Sequence, residues 1–164
     1  GALTNALKQT IDLPPMLRSE LLGIGVEKWS QADAPSAARF LNENPDATIA
    51  ERRQRPSGTS IIANTVAGHW AEIDPQAAMD WAKKRPDASS ATQGAIGGWW
   101  QKDPDDATAY VMEHLKTNSD YQVASILADR MATQDPKRAT EWVAQLPNES
   151  ARRHVEIIIA HSLG

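Results

Sequence analysis

The chain has 164 residues, no cysteine and a formal net charge of −4. The missing cysteine excludes disulfides, thiol catalysis and cysteine-ligated zinc or iron–sulfur centres, and the weakly acidic balance argues against nucleic acid as a partner, because phosphate contacts need a basic stripe. Hydrophobic residues make up 41% and charged residues 23%, as in an ordinary soluble protein, and no alternating run of β-branched residues reads as a strand.

Residues Gly1 to Thr10 read as a short helix and Ile11 to Pro15 as a turn, so 1–15 is expected to be an N-terminal capping segment of a single domain spanning 1–164. Gly1-Ala2 lacks an initiator Met and no signal peptide is visible, so the natural N-terminus is expected to lie outside this sequence. The longest apolar run, Val155 to Ala160, is interrupted by Glu156 and falls far short of the roughly 20 residues that span a bilayer. Membrane attachment is therefore expected only through segments not present here, and the compartment is left open between cytoplasm and bacterial periplasm or envelope.

From Val26 onward one phrase recurs. It is anchored on Asp33, Asp74, Asp103 and Asp135. Four residues before each Asp stands a large apolar side chain: Trp29, Trp70, Trp99 and Met131. Pro follows directly in three copies (Pro75, Pro104, Pro136), and Ala34-Pro35 follows in the first. Four residues after each Asp is an alanine (Ala37, Ala78, Ala107, Ala139), and seven after is an aromatic: Phe40, Trp81, Tyr110, Trp142. Pro45, Pro86 and Pro147 close three copies, while the third has Leu115.

Asp accepts hydrogen bonds from the free N–H groups of a helix start, and Pro suits the first helical position. The phrase predicts a first helix per repeat over about 35–44, 75–85, 104–115 and 136–146, stopped by the closing Pro. A second cap signal, Asp46, Asp87 or Asn148, predicts a partner helix. These partner helices fall over about 16–31, 58–72, 88–101, 118–133 and 149–162. The Trp that closes one helix and the aromatic of the next are expected to pack across the corner between them. Gly97-Gly98, inside a predicted helix, are expected to permit close helix packing.

The anchors are separated by 41, 29 and 32 residues. The long interval holds Thr48 to Ser57, read as an extended helix start or an inserted loop broken at Pro56-Ser57-Gly58. Repeats of this length signal a solenoid, and the fold class is all-α, with no β-sheet. Helix pairs with a small residue at the close contact, aromatics at the turn and Pro at a helix end resemble the tetratricopeptide-like superfamily of α/α superhelices. In this chain the aromatic comes three residues after the Ala, as in Ala78 to Trp81, and Pro follows five later at Pro86. The resemblance implies a right-handed α/α superhelix of about four helix-pair repeats and a non-catalytic role holding a peptide, a protein or another copy of the chain.

No catalytic constellation can be assembled from the sequence. The four anchor Asp residues read as helix caps, since catalytic carboxylates are not copied at every repeat. Asp103, Asp105 and Asp106 suit the positive end of a helix. His154 and His161 are seven apart, His69 and His114 have no partner at ligand spacing, and neither metal nor cofactor is expected. Two features point to partner binding. Trp100 follows Trp99 and projects about 100° away from it, so it either reaches a surface, where Trp is favoured at hot spots, or widens a buried stripe. Arg52, Arg53 and Arg55 form a basic patch suited to a carboxylate or phosphate, set against a plain solvated face offset by Glu51. Ile157, Ile158 and Ile159 mark the C-terminal helix as a self-association edge.

The leading expectation is a protein- or peptide-binding scaffold. The alternative is an accessory helical domain of a larger bacterial envelope protein or cell-wall enzyme, in which Trp100 lines a groove for a glycan or peptide.

Overall fold

The computed structural model describes residues 2–9, 12–53, 55–118 and 121–164, and no strand occurs among them. Its helices are α1 (Ala2–Gln9), α2 (Pro15–Glu43), α3 (Asp46–Arg53), α4 (Ile61–Ala71), α5 (Pro75–Lys83), α6 (Ala88–Lys102), α7 (Pro104–Thr117), α8 (Gln122–Gln134), α9 (Pro136–Ala144) and α10 (Glu149–Leu163). Thr10 and Ile11, where the N-terminal helix is expected to give way to a turn, lie outside the described residues, as do Gln54 and residues 119–120. Among the described residues, no helix is long and apolar enough to cross a membrane. Contacts group the chain into two compact units, Gly1–Gly98 and Trp99–Gly164, with the boundary inside α6.

In the first unit, α2 holds two helical segments that meet at Asp33, whose φ of −153° and ψ of 80° are not helical. Its carboxylate accepts the Ser36 N–H at 3.1 Å, so Pro35 opens the second segment just past a capped break. Asp74 repeats the device, accepting the Ala77 N–H at 3.1 Å ahead of Pro75. At both corners the expected rings meet: Trp29 and Phe40 lie 5.6 Å apart between centroids, and Trp70 and Trp81 lie 6.0 Å apart. Pairs at such distances add about 0.5–1.5 kcal/mol beyond their buried area. Ala37 and Ala78 have no exposed surface.

The stretch Thr48 to Ser57 is neither an extended start of the next helix nor a plain loop. It contributes to a separate helix, α3, and the chain then turns at Gly58, whose φ of +61° suits glycine. Ser60 caps α4 by accepting the Ala63 N–H at 3.1 Å.

Helices α4 and α6 cross at very close range. A Cβ at Gly94 would lie 1.9 Å from the Asn64 carbonyl oxygen, and one at Gly98 would lie 2.1 Å from that of Gly68. The close approach therefore uses Gly94 and Gly98, four apart on one helix face, rather than the adjacent Gly97-Gly98 pair. Asn64 Nδ2 ties the crossing by donating to the Ser90 carbonyl at 3.1 Å.

The second unit uses the same parts. Asp103 accepts the N–H groups of Asp105 and Asp106 at 3.1 and 3.0 Å, and Asp135 accepts that of Arg138 at 3.0 Å. Trp99 and Tyr110 are 4.5 Å apart, and the Trp99 indole donates to Asp106 Oδ2 at 2.8 Å. Met131 and Trp142 are both buried at the fourth corner. Helix α7, which has Leu115 instead of a closing Pro, runs on to Thr117. Asn148 caps α10 by accepting the Ala151 N–H at 2.7 Å.

Candidate functional site

A surface groove of the first unit takes one wall from α2. Leu17, Leu21 and Ile24 fall on one stripe of α2, as positions four and seven apart must. They are 52%, 45% and 53% exposed, high values for large apolar side chains. Ile61 opens α4, lines the same groove as Ile24 and is 51% exposed. Glu51 joins the elements: its carboxylate accepts from the Ser60 hydroxyl at 2.8 Å, from Ile61 N–H at 2.8 Å and from Ile62 N–H at 3.4 Å. The groove so formed has a volume of about 680 Å3, with Ile24 and Ile61 among its walls and Glu20, Glu27, Glu51 and Arg55 bringing charge.

Of the residues predicted to bind a partner, Arg55 lines this groove and pairs with Glu51 at 3.5 Å. Arg52 Nε is held by the Gly58 carbonyl at 3.1 Å, which braces the turn after α3. Arg53 is exposed. Trp100 is placed differently. It is only 5% exposed, its indole N–H donates to Gln134 Oε1 at 2.6 Å, and the Arg138 guanidinium lies 5.2 Å from its ring centroid. These contacts fasten α6 to α8 and α9, as the buried-stripe reading requires, and the ring is not offered to a partner.

Two polar arrangements have no sequence signal because each joins side chains 37 to 43 residues apart. Ser30, fully buried, donates to the Glu27 carbonyl at 2.8 Å and lies 2.7 Å from His69 Nδ1. The pair links α2 to α4. A nucleophilic serine needs an accessible oxygen, and Ser30 has no exposed surface. The second arrangement centres on Arg85, which is 8% exposed. It forms two hydrogen bonds with Asp87 at 2.6 and 3.1 Å and reaches Asn42 and Thr48 at 3.2 Å each. Its guanidinium also stacks 4.8 Å from the Trp81 centroid. Asp87, expected as a helix cap, is thus the counter-ion of a buried cation.

In the second unit a groove of about 410 Å3 lies along α9 and α10, floored by Val143, Ala144, Ile159 and Ala160 with Arg152 and Glu156 at its sides. Of the expected sticky edge, Ile157 is 67% exposed while Ile159 is 7% exposed, because residues two apart on a helix face different ways.

Asp33 has its carboxyl held below the usual range by the side chain and N–H of Ser36. Among the described residues, no three His, Asp or Glu side chains gather in a way that could hold a metal ion. The chain matches no protein-family profile, no curated protein and no solved structure.

Proposed function

We propose that the chain is a non-catalytic scaffold that holds a protein or peptide partner, built as a right-handed, tetratricopeptide-like array of helix pairs. The observation that carries this reading is the exposed apolar surface of α2 and α4, where Leu17, Leu21, Ile24 and Ile61 are half exposed and Ile24 and Ile61 line a groove. Such a patch rimmed by charge is characteristic of interaction sites. The recurrence of the same cap and corner in all four repeats also supports it, since a repeated structural element leaves specificity to the variable faces. The burial of Trp100 removes it as a contact residue from this reading and from the alternative of an accessory domain alike.

The test is capture from a lysate of the source organism with the purified chain as bait, followed by rebinding of the purified partner. A Leu21→Glu/Ile24→Glu variant is expected to weaken rebinding at least tenfold, about 1.4 kcal/mol, and Trp100→Phe is expected to leave it unchanged. Arg52→Ala/Arg53→Ala/Arg55→Ala reports how far the basic patch contributes. Partner binding that ignores the α2 variant would place the surface elsewhere, and the absence of any saturable partner would overturn the reading.

A further inference from the structure

Six of the seven large apolar side chains that stand exposed among the described residues lie on α2, α4 and α10: Leu17, Leu21, Ile24 and Ile61 in the first unit, Ile157 and Leu163 in the second. Ile24 and Ile61 line the groove of the first unit, while the groove of the second takes Arg152, Glu156, Ile159 and Ala160 from α10, a stripe that Ile157 does not share. The polar groups of the two grooves are complementary. Arg152 lines the α9–α10 groove, and its Nε is buried without a hydrogen-bond partner. Glu20 and Glu27, on the other groove, are exposed carboxylates.

The repeat register says what Arg152 awaits. It stands four residues after the α10 cap, Asn148. The residues four after the caps of α4 and α8, Asn64 and Ser125, both bond to the following partner helix: Asn64 to the Ser90 carbonyl of α6 at 3.1 Å, and Ser125 with His154 of α10 at 2.9 Å. This position is where one helix pair holds the next, and a buried N–H left without an acceptor costs about 1–3 kcal/mol.

We propose that the α9–α10 face docks onto the α2–α4 face of a second copy of this chain, head to tail, with a carboxylate of Glu20 or Glu27 accepting from Arg152. The proposal rests on the scaffold reading and names its partner. Because the two faces differ, a pair of copies keeps one of each free, and the contact can propagate beyond a dimer.

Sedimentation velocity over a wide concentration range tests this with two single variants, Leu21→Asp on α2 and Ala160→Asp in the α9–α10 groove, both at exposed positions expected to leave the fold intact by circular dichroism. The chain itself should grow past dimer, and each variant alone should stay monomeric. Their mixture should form dimers and nothing larger, since one complementary pair of faces survives. Arg152→Ala should weaken growth at least tenfold. A two-fold symmetric contact would end at dimer and would not be restored by mixing, which overturns the head-to-tail arrangement. A chain that stays monomeric throughout overturns self-association. If that monomer still holds a different partner in a Leu21-dependent way, the scaffold reading stands without this inference. If it holds none, both fall.

Discussion

Trp81 makes three kinds of contact from one ring: it packs on Trp70, donates its N–H to Asn42 Oδ1 at 3.1 Å and carries the Arg85 guanidinium on its face. Truncating it leaves a cavity and removes one of the two donors to Asn42 Oδ1, so Trp81→Ala should cost about 3 kcal/mol or more. A urea midpoint shift worth less than about 1 kcal/mol would show that the corner does not hold the repeat. Arg85 is the harsher case. Removing it strands Asp87, whose side chain is 1% exposed, and breaking a buried pair from one side costs about 3–5 kcal/mol. Arg85→Ala should therefore destabilise by that much, while Arg85→Met/Asp87→Leu should recover most of the loss. A double-mutant cycle that finds the two changes additive would refute the pairing. Asp33 sets a pH dependence. Its folded carboxyl is held low, so its contribution is present above the unfolded value near about 4 and fades as pH falls through the lower folded value. The stability difference between the chain and Asp33→Asn should be constant above about pH 5 and change only below it, as thermal melts across pH would show. A difference that varied near neutrality would point to another group.

At the scale of elements, the crossing of α4 and α6 is the tightest packing described. Gly94→Ala drives a methyl against the Asn64 backbone, and overpacking of this kind costs about 1–3 kcal/mol or more. Gly68→Ala meets nothing nearer than 3.4 Å and gains helix propensity, so it should be neutral or stabilising by up to about 1 kcal/mol. Equal effects from the two substitutions would contradict the crossing. The same elements show what a sequence discloses. Asp, Pro, Ala and the corner aromatics are local signals with fixed offsets, so they located nearly every helix and three ring pairs. Which glycine faces a neighbour depends on the crossing of two helices, and that crossing is not written in either one. Helix α3 escaped for a related reason: its short stretch has little periodicity, and its exit is fixed by Arg52 on the Gly58 carbonyl.

For the molecule as a whole, function was less legible than fold. Spacing leaves Trp100 open between a surface and a buried stripe, because its neighbour already fills a corner; Gln134, far along the chain, gives its indole an acceptor. The apolar stripe of Leu17, Leu21 and Ile24 has ordinary helical spacing, and only its exposure among the described residues marks it as a surface. A net charge of −4 spread over such a chain favours solubility and leaves recognition to local faces. The central claim is that the chain acts through the α2–α4 face. Hydrogen exchange measured on the free chain and on the partner-bound chain, whether that partner is a second copy or another protein, tests it most directly. The account predicts slowed exchange concentrated in residues 17–27 and 61–65, with little change around Trp100. Protection confined to other helices, with 17–27 exchanging as in the free chain, would contradict it.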